Sequence, residues 1–529
     1  MSATVIAPHS PRLNLTAAFA RVNFLALGSV VTLVLAWQLL AETAFRDVYA
    51  IAAPVDILVT AVKDFDLIWP NLLTTAGEAG WGWLLGNVVA VTLAALSLIL
   101  PWTQAVVMRV GVIAYCLPIV AISPILVAVT SRYMSVVLIS AQGVFFTTLV
   151  GAVLGLHSAS ATRVDVIRAA GGGRGTVLRM VQIRSAVPAL FAALRVAAPL
   201  AVLGAMIGEY LGADKGLGVA MVYSQQSLNV DRTWALALYA ALLAAVAYGL
   251  TVLAEKAVYT WRDQETVSDI SVASAPQVTR SRNMVGVATQ FAVTLLLVFG
   301  GWYLIARSVD PYFGKTPVDV WNYLTSGRDL SDMWAALRLT IVHTVVGFAS
   351  GLGLALLGAV TVVLSRTAES IIMPIAMSIR TVPLVAMTPL IALIFGRGFL
   401  TLIVVSGVVT FFPALVTIVG GIRSVPPSAC EVVTVSGGGP VKVLRIVQLP
   451  AALPSFFAAA RVTAPLAMTG ALLCEWLATG DGAGFMMLRA GVTGNYSLMW
   501  SLVALVTLSA AALYGIAAIL EGTIGRIRS

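Results

Sequence analysis

Charge is what this chain has least of. Only 10% of its 529 residues are charged, 59% are hydrophobic, and the mean hydropathy is +0.96. A soluble globular chain carries roughly 25% charged residues. So few charges cannot cover a water-facing surface, and lipid must be the main solvent. Cysteine and histidine are also scarce. Cys116, Cys430 and Cys474, with His9, His157 and His343, are scattered along the chain. That scatter offers no metal-ligand, redox-pair or haem spacing, so no metal site is expected. No Ser/His or His/Asp/Glu constellation supports a membrane-embedded enzyme. A phosphate loop is missing as well. Gly314-Lys315-Thr316 would need glycine at position 309, and Val309 stands there. No cofactor is therefore expected in this chain.

What the chain has in quantity is long apolar runs. A membrane helix needs about 20 consecutive apolar residues, and helices satisfy their own backbone in lipid. The runs are too long and too uniformly apolar for barrel strands. Candidate spans in the first half are 24–44, 75–99, 104–129, 134–157, 186–208 and 233–257. In the second half they are 285–306, 340–364, 370–395, 399–421, 452–474 and 499–521. The run after Arg12 and Arg21 exceeds a signal-peptide core and no clear cleavage site follows, so it is read as a retained span.

Loop charge orients the spans. The 159–184 loop carries Arg163, Arg168, Arg174, Arg179 and Arg184 against Asp165, and the 422–449 loop carries Arg423, Lys442 and Arg445 against Glu431. Both are assigned to the cytoplasm by the positive-inside rule, which also accounts for the net charge of +9 without invoking nucleic acid. The loops that follow spans one and seven are net acidic and face outward. Both termini are then cytoplasmic.

The chain repeats itself. Adding 266 carries Asp165 to Glu431, Gly171 to Gly437, Gln182 to Gln448, Arg195 to Arg461, Glu209 to Glu475 and Glu255 to Glu521. Earlier, adding 265 carries Trp37 to Trp302, Gly82 to Gly347, Gly86 to Gly351, Pro118 to Pro383 and Pro124 to Pro389. The domains read as 1–257, a polar unpatterned cytoplasmic linker at 258–284, and 285–529. Six spans per half is an even number, so the halves are parallel repeats about a pseudo-twofold along the membrane normal.

The most closely repeated polar stretches are 162–184 and 428–450. Thr162 three before Asp165, and Ser428 three before Glu431, predict capping boxes. Gly171-Gly172-Gly173 and Gly437-Gly438-Gly439 then stop a short helix with a left-handed cap. A second amphipathic segment follows each. A short cytoplasmic helix standing out once per half is a docking knob, suited to a partner's groove.

The second copy, from Glu431 through Gly437 to Val447-Gln448-Leu449-Pro450, resembles the EAA loop of bacterial ATP-binding-cassette importer permeases. The first copy keeps Asp165 and Gly171 but has Arg184 where proline is expected, and neither copy has the two alanines. The following spans, Pro188…Arg195…Glu209 and Pro454…Arg461…Glu475, look like the nitrate/sulfonate/taurine subgroup. That subgroup also serves thiamine-precursor pyrimidines, riboflavin and hydantoin-like compounds.

The resemblance implies an all-α membrane protein with the type I importer permease fold. About twelve helices would form two six-helix repeats fused in one chain. It implies two cytoplasmic ATPase subunits that bind ATP, one on each loop, and an extracytoplasmic substrate-binding protein. The location is the bacterial inner membrane. Thr162, Asp165, Gly171, Ser428, Glu431, Gly437, Leu449 and Pro450 become candidate docking residues.

Intramembrane charge is expensive and often functional. Arg195 and Arg461 either line the axis or snorkel to the cytoplasmic surface. Glu209 and Glu475 either gate the pathway or cap the outer loop. Glu78 and His343 hold equivalent places on the second spans and are candidate pathway residues. The rival class is an ion-coupled secondary transporter with parallel repeats. It needs midplane carboxylates, whereas the acids here lie near span ends.

Overall fold

The structure is a computed structural model that describes residues 24–43, 51–258, 284–326, 329–381 and 384–528. These residues are helical, with turns between helices and no strand among them. The expected linker lies outside them apart from its end residues, and so does Pro383.

The first ten helices are α1 (Phe24–Glu42), α2 (Pro54–Lys63), α3 (Phe65–Ile99), α4 (Gln104–Cys116), α5 (Ile119–Val129), α6 (Arg132–His157), α7 (Ala161–Ala169), α8 (Arg174–Gly212), α9 (Leu217–Gln226) and α10 (Val230–Val258). The next ten repeat the order: α11 (Met284–Ser308), α12 (Pro317–Ser326), α13 (Leu330–Leu364), α14 (Arg366–Thr381), α15 (Leu384–Phe395), α16 (Phe399–Arg423), α17 (Pro427–Val435), α18 (Pro440–Thr479), α19 (Gly482–Val492) and α20 (Tyr496–Arg528). Each helix of the first set has its counterpart ten places on. The repeat read from single residues is thus a repeat of elements.

Among the described residues, nine helices are long and apolar enough to cross a membrane, ten if α4 and α5 are joined. Of the twelve expected spans, the remaining two fall on α1 and on the pair α14 and α15. The expected third span is not one rod. Its two arms meet at 90°. Pro118 has no N–H to continue α4 and holds Leu117 in extended backbone (φ −75°, ψ 107°). The second spans are longer than expected. Each of α3 and α13 has 35 residues, about 52 Å at 1.5 Å per residue, well beyond a hydrocarbon core of about 30 Å.

Within each half the long helices approach closely through small residues. Gly82 and Gly86 on α3 meet Ser140 and Ala141 on α6 so tightly that an added Cβ would overlap them. Gly347 and Gly351 meet Ser406 and Thr410 in the same way. This is small-xxx-small packing, which serves where lipid removes the hydrophobic drive for helix association. The Ser140 hydroxyl donates to the Ala201 carbonyl at 2.8 Å, and Ser406 donates to Ala467 at 3.0 Å. Matched tryptophans tie first to last helix: Trp37 meets Trp234 (centroids 5.3 Å) and Trp302 stacks on Trp500 (5.7 Å).

The broken third spans pack on their own halves and also reach across to the other. α4 packs on α11 and α20, and α5 on α18, α19 and α20. Reciprocally α14 packs on α1 and α10, and α15 on α8 and α9. Two apolar clusters form across this exchange. One joins Cys116, Val120 and Ile125 to Met333, Met468 and Leu502. The other joins Leu217, Met221 and Leu236 to Met387 and Leu390. The two sets of helices therefore pack into each other rather than side by side.

Candidate functional site

The expected knobs are α7 and α17 with the turns that follow. Their helical extent matches expectation, but their N-termini do not. The residues preceding the helices are Ser160 and Pro426, and neither makes a side-chain cap bond. Thr162 and Ser428 are second residues of their helices, two positions too far in to cap, so the expected capping boxes do not form. Pro427 explains the early start in the second copy, because its fixed φ suits a first helical position.

The C-termini are as the glycines predict. Gly171 (φ +81°) and Gly437 (φ +77°) are left-handed. Gly172 N–H donates to Ile167 O at 2.9 Å and Gly171 N–H to Arg168 O at 3.0 Å, with the same pair at Gly438–Val433 and Gly437–Thr434. These are the two bonds of a Schellman stop. A Cβ on Gly172 or Gly438 would overlap Ile167 or Val433, whereas Gly173 and Gly439 have open space. A π-helical turn follows at Leu178–Gln182 and at Leu444–Gln448. Such turns often mark functional sites, and nothing in the sequence pattern announced them.

Thr162, Asp165, Gly171, Ser428, Glu431 and Gly437 are all exposed on the knobs, while Leu449 and Pro450 are half-buried at the base of α18. The two exposed faces differ in chemistry. Val432, Val435 and Val441 stand out on the second. Their counterparts on the first are Val166, Ala169 and Gly175, set among Arg163, Arg168 and Arg174.

At the ends of α8 and α18 away from the knobs, Glu209 and Glu475 clamp the starts of α9 and α19. Gly218 N–H donates to Glu209 Oε2 at 2.6 Å, and Gly484 N–H to Glu475 Oε2 at 2.8 Å. The Leu217 and Ala483 N–H groups donate to Thr75 and Thr340 at 2.9 and 2.8 Å. Asn71 accepts from Gly216 N–H at 2.9 Å. Gly216 (φ +124°) and Gly482 (φ +72°) lie against these carboxylates, and a Cβ on either would overlap them. His343 Nδ1 lies 2.9 Å from Glu475 Oε1, and the Thr340 hydroxyl donates to Oε2 at 2.9 Å. Glu78, the counterpart of His343, is buried beside Glu209. All four charged or titratable candidates of the outer ends therefore gather in two matched clusters. The threonines were not singled out from sequence, though the 265 offset relates them.

Arg195 and Arg461 are not part of those clusters. Arg195 pairs with Glu255 at 3.4 Å and Arg461 with Glu521 at 3.0 Å. The acids come from near the C-terminal ends of α10 and α20, so each pair ties two long helices of one half. Arg461 also lies over the Tyr514 ring. Between the halves, the Tyr115 hydroxyl donates to Val462 O at 2.6 Å.

A true capping box sits where the phosphate-loop fragment was set aside. Thr316 N–H donates to Asp319 Oδ2 at 2.9 Å, and Asp319 N–H to Thr316 Oγ1 at 3.2 Å. Hydrogen bonding from Thr316, aided by Lys315 and Arg307, holds the Asp319 carboxyl below its ordinary range. A carboxyl lowered by folding stabilises the fold above its unfolded value, near 4, and loses that contribution as pH falls through its folded value. The exchange protection of amides 316 and 318–320, relative to the same amides in unstructured peptide at the same pH, is expected to fall as pH drops below about 4, and Asp319→Asn should remove the dependence.

Over residues 86–259, and again over 337–526, the sequence matches the binding-protein-dependent transport system inner membrane components. Those two stretches make up more than half of the chain. The chain belongs to that family. A probable ABC transporter permease protein of Haemophilus influenzae is 28% identical over 211 residues, 39% of this chain and 85% of that protein. The riboflavin transport system permease protein RibX of Chloroflexus aurantiacus is 31% identical over 231 residues, 43% of this chain and 85% of that protein. A putative aliphatic sulfonates transport permease protein, SsuC of Bacillus subtilis, is 28% identical over 201 residues, 37% of this chain and 70% of that protein. No solved structure matches the chain.

Each of these relatives corresponds to well under half of this permease, which carries the family unit twice. It is a multi-pass inner-membrane translocation component of an ABC importer, not an enzyme and not an ion-coupled carrier.

Proposed function

We propose that this permease forms the pathway of an importer driven by two cytoplasmic ATPase subunits, one seated on each knob. An extracytoplasmic binding protein supplies the solute. The observation that carries the reading is the repetition of one exposed helix, closed by one glycine stop, at 161–172 and 427–438. ATP is bound by the partners, and this chain holds no cofactor of its own. Two repeats, 1–257 and 285–529, are joined by a cytoplasmic linker at 258–284, with both termini on the same side.

ATP binding closes the ATPases, the knobs move with them, and the crossed arms α4–α5 and α14–α15 transmit the rocking to the outer ends. Only a partner that binds the two states differently can shift them. Arg195 and Arg461, each paired with a glutamate, brace the moving helices. Glu209 and Glu475, with Glu78 and His343, control the outer end of the pathway. The solute is a small sulfonate- or taurine-like anion or a pyrimidine- or riboflavin-like heterocycle, the classes for which the relatives are named.

Asp165→Ala and Glu431→Ala test the docking assignment in the complex reconstituted with its ATPases and binding protein. Each is expected to cut receptor-stimulated ATP hydrolysis, Glu431→Ala on the order of tenfold if it behaves as an interface hot spot. Unchanged stimulation in both would sink the assignment.

A further inference from the structure

The two outer clamps are built alike and closed differently. In the second half an imidazole nitrogen, His343 Nδ1, meets Glu475 Oε1 at 2.9 Å. In the first half the same place is taken by a carboxyl. Glu78 is 3% exposed and Glu209 1% exposed. The two side chains lie side by side, and Glu78 Oε2 and Glu209 Oε1 are buried without a hydrogen-bond partner. Among the described residues no lysine, arginine or histidine pairs with either, and no other titratable side chain bears on them from the helices packed around them. Two bare carboxylates in contact inside a membrane repel and are both desolvated. A carboxyl donating its O–H to a carboxylate removes one of the charges and satisfies both orphan oxygens.

We infer that Glu78 and Glu209 hold one shared proton that keeps α9 clamped, and that His343 replaces this proton in the second half with its own N–H. The proton comes from external water and returns to it, and no other bond is made or broken. Glu78 and His343 are thus positioning residues: they act on α9 and α19 through Glu209 and Glu475. The clamp matters for opening because α9 and α19 each reach into the other half, α9 against α15 and α19 against α5. Gly216 and Gly482 seat each carboxylate directly against the turn that starts its helix, where an added Cβ would overlap it. One side of the gate is then held by a proton shared between two carboxyl groups, and the other by an imidazole N–H.

The inference rests on the importer reading for its consequence, though not for the proton itself. The first experiment therefore uses the full chain alone in lipid nanodiscs. Its infrared spectrum should contain the carbonyl band of a protonated carboxylic acid, and Glu78→Gln should lose that band. A band unchanged in Glu78→Gln would overturn the assignment.

The second experiment uses the assembled importer in proteoliposomes and follows receptor-stimulated ATP hydrolysis against external pH. Glu78→Gln carries a permanent amide donor and is expected to keep stimulation while losing the wild-type change at alkaline pH. Glu78→His, which copies the second half, should also keep stimulation, and Glu78→Ala should lose it. Loss of stimulation in Glu78→Gln would point to a metal cation between two carboxylates and overturn the proton. A wild-type pH profile in Glu78→Gln, or wild-type behaviour in Glu78→Ala, would overturn the positioning role. Failure of the wild-type chain to retain ATPase subunits would count against the importer reading, and the infrared result would still stand by itself.

Discussion

Glu475→Ala is expected to cost this permease much of its stability. The carboxylate accepts from Gly484 N–H and from the Thr340 hydroxyl, and it meets His343 on its other oxygen. Glu475 is fully enclosed. Alanine leaves Gly484 N–H and His343 Nδ1 without a partner, while the Thr340 hydroxyl keeps the Ala336 carbonyl at 3.1 Å. Each buried orphan costs about 1–3 kcal/mol, and about 2 kcal/mol or more is a large fraction of a typical net stability of 5–15 kcal/mol. The measurement is the melting temperature and monodisperse yield of the detergent-extracted chain. Glu475→Gln keeps an acceptor for Gly484 and Thr340 and should fall between alanine and wild type. Melting of Glu475→Ala within about a degree of wild type would mean the cluster contributes little.

The second large effect lies on the other side of the membrane. Gly438→Val places a branched side chain against Val433 and its carbonyl, where even a Cβ overlaps. The Schellman bond from Gly438 N–H to Val433 O at 2.9 Å is then lost and the knob is redirected. Receptor-stimulated ATP hydrolysis should fall at least tenfold, since a knob out of register forfeits the central contacts of its interface. Gly439→Ala is the control. That glycine is extended (φ −74°) with nothing within reach of a Cβ, so near wild-type rates are expected. Gly437→Ala and Gly171→Ala both place alanine in left-handed backbone, a cost of about 1–2 kcal/mol. The larger functional loss is expected at Gly437, whose knob presents Val432, Val435 and Val441 to its partner. Equal losses at the two glycines would count against unequal docking.

Several features were legible because they depend only on local chemistry. The glycine triplets announced their left-handed stops, since few other residues take positive φ. The offset tryptophans, glycines and glutamates announced the repeat, and in each half they occupy matched contacts. Pro118 announced a break, but its 90° angle depends on which neighbours receive the two arms. The expected capping boxes failed for a related reason. Thr162 and Ser428 have suitable side chains at suitable spacing from an acid, but the helices begin before them, and a cap is defined by where the backbone turns. The Thr316-to-Asp319 box has the same spacing and does form, because Pro317 fixes the first helical residue directly after Thr316.

By itself the sequence determined the solvent, the helical class, the duplication and the sites of the two knobs. Each follows from properties that residues carry with them: hydropathy, backbone freedom and loop charge. Tertiary structure alone decided that the third spans cross into the opposite half, that Arg195 and Arg461 find acids on the last helix of each repeat, and that Glu78 meets Glu209 where His343 meets Glu475. Those outcomes depend on groups more than a hundred residues apart in some cases, and distance along the chain says nothing about distance in space until the helices have packed.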